Sequence, residues 1–596
     1  MKTYSARSLV SPKKETVKSF NPHYIVGVLI SIIGLGVLAQ GFRWQILSAD
    51  KFISLAKSQY IENQRQPTSR GVIYASDSTV FAVDQPVWGI YASLSSNDLE
   101  RDKFFKNKDK YISTISAILN VSQEELEEKL TEQFMFFKIK SGVSTEKKSA
   151  LEKANIFGPG TQGFGLYFER EEQRIYPNGS LAAHLLGFIG KNSDGEDVGQ
   201  YGIEGFYFGD ITGQEGYTYE EKDSQGNVIL TAEYEPILPR QGKSFTLTVI
   251  PSIQQKVEKA LKQGVEKNQA KSGSAVILNP NTGAIIAMAN YPTYNPNEYW
   301  KVTDPWIFKN KAISDVYEYG SVQKPITIAI GLESGKVEDD YTCNDKTGSY
   351  KLYDKTIYTW DKQPDGKLTL GGILEKSNNP CVLQVALQTG HDYYYPKLKE
   401  FGIGSIIGVG LQDESTGYLM PYEMWTKLDL AVTAFGQSIS ATPLQITSAI
   451  STIANEGKRM RPYIISEVQE SEDTIKYKPQ VIAQPISEKT AKKVAKMMEG
   501  VVRQGESKFF FNRDLPNYSI AGKTGTAQIP KRNEAGYYDD RTNTTFVGFS
   551  PVENAQMVMI VRLEEPKLNT FSASTAVPVW IDIFKAVADD LEIPKK

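Results

Sequence analysis

Three short polar stretches in the second half of the chain hold the residue types that nucleophilic acyl chemistry needs. They are Ser321-Val322-Gln323-Lys324, Ser377-Asn378-Asn379 and Lys523-Thr524-Gly525-Thr526. Ser321 offers a hydroxyl, and Lys324 follows it by one helical turn, on the same face of a helix. A neutral lysine can take the serine proton, as in other Ser–Lys catalysts. Neutrality at pH 7 needs the lysine pKa lowered by about three units, roughly 4 kcal/mol, through burial and a neighbouring cation. Lys523 is the candidate cation. Ser377 and Asn379 bring a second hydroxyl and an amide, fit to relay a proton and to hold a substrate amide. Lys523, Thr524 and Thr526 could grip a carboxylate, and Gly525 permits close backbone approach. The histidines His23, His184 and His391 are far apart, without metal or triad spacing, so a base other than a neighbouring histidine is required.

Each stretch alone decides little. Serine followed by lysine three residues on recurs at Ser11/Lys14, Ser54/Lys57 and Ser144/Lys147. A helix-capping serine with a surface lysine, an ordinary loop and an edge-strand lysine remain open readings of the three taken separately. Their order and context carry the weight.

The positioning elements are partly legible. Ser321 follows Gly320 and precedes an apolar run to Leu332, with Gly335 at the C′ position of a helix. Pro325 falls in its first turn, where the missing N–H is tolerated. The serine therefore sits at a helix N-terminus, whose dipole and free N–H groups favour an oxyanion. Upstream, Phe245–Ile250 predicts a strand, and Ile253, Val257, Leu261 and Val265 mark one helix face. Ser274–Leu278 and Ala284–Ala289 predict a hairpin about Asn279–Gly283. Lys523–Thr526 lies in a strand-like run from Tyr518 to Gln528. Thr545–Phe549 and Gln556–Arg562 flank another turn, and Pro578–Leu591 predicts a closing helix. Strands at both ends with helices between predict one antiparallel sheet covered by helices, an α/β (α+β) domain. The Glu- and Lys-rich segment from Gln123 to Lys153 predicts solvated surface helices.

The 596 residues, 40% apolar and 23% charged, describe an ordinary globular protein and exclude a disordered or collagenous chain; the net charge of −3 gives no pointer to nucleic-acid binding as the main activity. Two cysteines, Cys343 and Cys381, allow no disulfide scaffold or thiolate zinc site; they are either free thiols or one pair in an oxidising compartment. Tyr24–Phe42 is nineteen uncharged residues, eleven of them Ile, Leu, Val or Phe, preceded by Lys2, Arg7, Lys13, Lys14 and Lys18. That predicts a single-pass membrane anchor with a cytoplasmic N-terminus and the remainder extracytoplasmic, in a periplasm or at the cell exterior; a cleaved signal ending at Val37-Leu38-Ala39 is the alternative. The expected organisation is a cytoplasmic tail (1–22), an anchor (23–47), a mixed α/β region (48–240) ending in a Pro- and Gly-containing linker, and a catalytic domain (241–596).

With these residues in hand, the chain resembles the class B penicillin-binding proteins, the monofunctional peptidoglycan transpeptidases. Landmarks are Asn279–Ala289, Ser314–Lys324, Phe435–Gln445, Ala521–Gln528 and Phe546–Pro551. Upstream, Arg70–Ile73, Ala182–Gly187 and Gly202–Gly205 resemble the elongated, non-catalytic pedestal (dimerisation-type) domain. The resemblance implies Ser321 as the acylated nucleophile of a D,D-transpeptidase, Lys324 as its base, and Ser377 and Asn379 as the second motif. It implies carboxylate binding at Lys523, Thr524, Gly525 and Thr526, and an oxyanion hole from the N–H groups of Ser321 and Thr526. No cofactor or metal is implied. The implied ligands are stem peptides ending in D-Ala-D-Ala and β-lactams; the implied partners are the membrane, a separate SEDS-type glycosyltransferase and division proteins. Tyr319 stands where the family usually has proline, Gln323 where an apolar residue is common, Asn378 where serine is frequent, and Tyr74–Asp77 replaces the usual Asp-Arg-x-Gly.

No EDxxFxxHxG pattern follows the anchor, which argues for class B over class A, and the chain ends 71 residues after Gly525, which leaves no room for appended wall-binding repeats. The Phe435–Ser440 stretch looks more like the division branch than the elongation branch. A penicillin-binding sensor, a β-lactamase and an inactive division scaffold share parts of the pattern; the long pedestal argues against the first two and the intact Ser321/Lys324/Lys523 set against the third.

Overall fold

The computed structural model describes residues 22–49, 51, 61–66, 68–93, 105–129, 136–154, 165–221, 236–531, 534 and 536–596. The basic tail and Glu235 of the linker lie outside the described residues. The chain divides into two compact units, Met1–Pro67 with Glu215–Pro239 and Thr68–Gln214 with Arg240–Lys596. In the first, helix α1 (Pro22–Phe42) runs on through a π-helical turn, Arg43–Leu47, and Ile25–Leu47 is long and apolar enough to cross a bilayer. Strands Ile61–Gln66 and Gly216–Glu221 pair antiparallel in the same unit.

In chain order the second unit contains β1 (Ile73–Tyr74), β2 (Val80–Ser93), β3 (Phe136–Val143), β4 (Gly165–Ile175), β5 (Ser244–Leu247), α2 (Pro251–Lys267), β6 (Ser272–Leu278) and β7 (Ile285–Tyr291). There follow α3 (Gln323–Glu333), β8 (Thr342–Asp345), β9 (Gly366–Thr369), α4 (Leu370–Glu375), α5 (Asn379–Thr389), α6 (Pro443–Ala454), β10 (Ile465–Glu470) and β11 (Asp473–Lys476). The last elements are α7 (Glu488–Gln504), β12 (Ala521–Pro530), β13 (Tyr537–Ser550), β14 (Met557–Glu564) and α8 (Ala576–Val587).

The sheet that matters for chemistry is antiparallel and five-stranded, in the order β7-β6-β14-β13-β12. Because strand side chains alternate, its two faces feed two cores. Ala275, Ile277, Met559 and Val561 pack with Val257 and Leu261 of α2 and Trp580 and Phe584 of α8. Val276, Leu278, Val558 and Ile560 pack on the other side with Leu444, Ile446 and Ala449 of α6. Helix α6 is buried all round, and a Thr442–Gln445 capping box satisfies its N-terminal amides. The expected antiparallel sheet covered by helices is thus the observed one, and β12 with the Lys523 motif is its edge.

A second sheet joins strands distant in sequence, in the order β11-β10-β5-β1-β2-β3, with β4 also on β2. The segment Gln123–Lys153 departs from the helical expectation. It forms helix Gln123–Lys129, strand β3 and helix Thr145–Lys153. Its lysines alternate with apolar residues at Lys138-Ile139-Lys140, a period of two, and Ile139 and Val143 reach a small core with Ile90, Ile115 and Leu151.

Candidate active site

The nucleophile candidate sits where the edge strand meets a tight turn. Gly320–Val322 forms one 3-10 turn leading into α3, whose C′ residue, Gly335, is left-handed with φ +68° as the sequence implied. Close backbone approach fixes the turn. A Cβ on Gly525 would come 2.5 Å from the Tyr319 carbonyl oxygen, and one on Gly436 would come 2.2 Å from that of Gly320. Gly320 N–H donates to the Gly436 carbonyl at 3.2 Å. The Thr526 carbonyl lies against Gly320; in an extended strand a residue's N–H and C=O point to the same side, so the Thr526 amide also faces the Ser321 turn. Among the described residues the half-exposed Ser321 hydroxyl has no hydrogen-bond partner.

The Ser377 tripeptide is a helix-to-helix corner with a distinct local cause. Ser377 has φ +54° and closes α4 as its left-handed C′ residue: its N–H donates to Leu374 O (3.2 Å), and Asn378 N–H donates to Ile373 O (3.0 Å). Asn378 then caps α5, accepting from Cys381 N–H at 2.8 Å, while its amide donates to Asp345 (2.8 Å) and Asp365 (2.9 Å). Cys343 and Cys381 form a disulfide between β8 and α5, which resolves the choice the sequence left open.

The corner delivers Ser377 between the two lysines. Its Oγ accepts from Lys324 Nζ and from Lys523 Nζ, each at 3.1 Å, and its carbonyl accepts from Lys324. Lys523 also donates to Thr524 O (3.1 Å) and Thr524 Oγ1 (3.2 Å), which occupies all three of its protons. Both lysines are fully enclosed. Burial lowers Lys324 well below the ordinary lysine value and the Lys523 charge lowers it further, against smaller opposing effects of Glu506 and Asp365. Burial lowers Lys523 to about 8, with Glu506 opposing. Burial thus disfavours charge on both lysines, and on Lys324 the Lys523 charge adds to it.

Not every expected residue joins this cluster. Asn379 donates its amide to the Tyr358 carbonyl at 3.0 Å. Thr526 Oγ1 is 2.8 Å from Ser572 Oγ, which also donates to Gly525 O at 2.6 Å. Ser572 anchors the strand that carries the third motif, and nothing in its sequence neighbourhood signals this. Sequence reasoning also missed the pairing of two of the unusual residues: Tyr319 OH donates to Gln323 Oε1 (2.8 Å), and Gln323 Nε2 donates to Tyr394 OH (2.9 Å), which meets Thr327 Oγ1 at 2.8 Å. This buried chain lies beneath the nucleophile turn and satisfies the polar groups that proline and an apolar residue would not have introduced.

The family described as penicillin binding protein transpeptidase domain matches residues 273–587, and the penicillin-binding protein dimerisation domain matches residues 65–247. Stage V sporulation protein D of Bacillus subtilis is 28% identical over 93% of this chain and 83% of its own length. Peptidoglycan D,D-transpeptidase FtsI of Buchnera aphidicola is 31% identical, covering 72% of each chain. Penicillin binding protein 3 of Mycobacterium tuberculosis, solved with aztreonam, is similar with a TM-score of 0.67 and 25% identity, over 89% of this chain and 98% of that one.

Proposed function

The chain belongs to the class B penicillin-binding proteins, and on that premise we propose that it is a peptidoglycan D,D-transpeptidase that works through an acyl-enzyme on Ser321. The observation that carries the reading is the Ser377 hydroxyl held at 3.1 Å from each of two buried lysines, beside the Ser321 turn.

Lys324, neutral, takes the proton of Ser321 as Oγ attacks the carbonyl of the penultimate D-Ala. The N–H groups of Ser321 and Thr526 receive the developing oxyanion. The proton passes from Lys324 through Ser377 to the departing amine, the C–N bond breaks, and D-Ala leaves. An acceptor amine then attacks the ester, its proton returns along the same path, and Ser321 is restored with a new peptide bond. The terminal carboxylate of the donor lies against Lys523, which exchanges a Thr524 contact for it, with Thr526 beside it. Asn379, anchored through its amide, offers its carbonyl oxygen to a donor N–H. A β-lactam follows the first half of this path and stops at the ester.

The basic tail and α1 support an N-terminus in the cytoplasm and a catalytic domain outside, and the disulfide fits an oxidising extracytoplasmic compartment. The division into tail (1–22), anchor (23–47), pedestal (48–240) and catalytic domain (241–596) follows from the same reading. The Phe435–Ser440 stretch favours a septal role over elongation, with a SEDS-type glycosyltransferase and division proteins as partners. Incubation with benzylpenicillin and peptide mapping by mass spectrometry test the core of the proposal. One adduct on the peptide containing Ser321, absent from Ser321→Ala, is the expected result; an adduct on another serine refutes it.

A further inference from the structure

We propose that the Cys343–Cys381 disulfide is a positioning device for the acylation step: with the Asp345–Asn378 contact beside it, it holds Ser377 between Lys324 and Lys523. The inference rests on the acyl-transfer reading above.

The corner that carries Ser377 is closed into a ring. β8 pairs with β9 (Cys343 opposite Leu368, Asp345 opposite Gly366), β9 runs directly into α4, Ser377 is the C′ residue just past α4, and α5 begins at Asn379. The bond from Cys381, in the first turn of α5, returns the chain to Cys343 on β8 across 38 residues. Two residues beyond Cys343, the Asp345 carboxylate accepts from the Asn378 amide and from Gly348 N–H at 2.8 Å each. Ser377, next to Asn378, occupies a left-handed conformation that costs about 1 kcal/mol or more and persists only where its surroundings over-determine it. The ring and the Asn378 clamp supply that determination. Cys343 and Cys381 are both buried, and Gln384 Nε2 lies 3.3 Å from Cys343 Sγ, so the bond is packed into the corner.

The consequence falls on Lys324. Its contacts at the corner are the Ser377 carbonyl and hydroxyl, and the charged groups acting on it are Lys523, Glu506 and Asp365. Opening the ring loosens Ser377 and admits water to the lysine. Relief from burial raises the lysine toward its ordinary value, so less of it is neutral at a given pH.

The test compares the second-order acylation rate by a fluorescent penicillin, across pH, for the oxidised full-length protein, the protein reduced with dithiothreitol, and Cys343→Ser/Cys381→Ser. Thiol titration verifies reduction, circular dichroism monitors the fold, and the double variant stands in if the buried bond resists the reagent. The expected result is acylation slower by about ten- to a hundredfold, with the rising limb of the pH profile moved to higher pH, retained secondary structure, and recovery of the reduced protein on reoxidation. Asn378→Ala, which keeps the disulfide but loses the clamp, moves both readouts in the same direction. Native rates and an unchanged profile without the bond overturn the inference. So does a slower rate with an unchanged profile, which marks a merely structural staple. Absence of a Ser321 adduct in the oxidised protein fails the acyl-transfer reading instead, whatever reduction does.

Discussion

At the residue scale, the proposed mechanism asks for one neutral lysine and one cationic lysine, and the expected pH dependence follows from that. Lys324 must be neutral, so acylation rises with pH through its depressed pKa. Lys523 must be charged, so acylation falls again above about pH 8 as it deprotonates. A bell-shaped profile of the acylation rate is the expected outcome. Lys324→Arg abolishes acylation, because guanidinium does not act as a base at neutral pH. Lys523→Arg retains part of the rate and loses the alkaline fall, since its charge does not titrate; Lys523→Ala loses far more. Stopped-flow acylation rates from pH 5 to pH 10 decide among these, and near-native acylation by Lys324→Arg removes lysine as the base.

At the element scale, the site depends on how closely one edge strand, one turn and one loop approach each other. Gly436 has φ +82°, and a Cβ there would lie 2.2 Å from a backbone oxygen, which cannot swing aside as a side chain does. Gly436→Ala therefore displaces the Gly320–Ser321 turn. The expected loss is about 1–3 kcal/mol of stability with at least tenfold slower acylation, read from urea unfolding and penicillin labelling. A variant with native stability and native rate would show that the turn does not depend on this contact. The corner between α4 and α5 makes the same point. Read along the chain, Ser377-Asn378-Asn379 is an ordinary loop; what makes it a site is that a helix C′ residue and a helix N-cap are consecutive, so the chain reverses with the Ser377 hydroxyl held inward.

At the scale of the whole molecule, the sheet built from β1–β5, β10 and β11 ties distant parts of the chain into one unit. Helix α1, with its apolar side chains exposed, stands in the other. The proposed topology predicts that protease added to intact protoplasts or spheroplasts removes everything after about residue 47 and leaves the tail protected. Antibodies to a tag on the tail and to the catalytic domain read the two fates. A soluble protein beginning at Gln40 would instead identify a cleaved signal.

The sequence by itself determined what is local or periodic. The α2 stripe, the β6–β7 hairpin, the apolar first helix and the glycine that ends α3 are all written in spacing and turn chemistry, which neighbours in the chain decide. The ordered motifs likewise single out Ser321, Lys324, Ser377 and Lys523 as the candidates. Tertiary structure alone decided which of them meet. Ser377 and Lys523 are 146 residues apart, and their contact depends on packing the α4–α5 corner against an edge strand. The chemistry of the motifs states which charges the lysines would need, but the burial that shifts them is tertiary, because a pKa is set by water excluded and charge brought near. The same holds for the disulfide, whose two cysteines fitted free thiols as well as a bond until β8 and α5 were placed side by side, and for Ser572, which anchors the third motif only because a turn from far along the chain folds back onto β12.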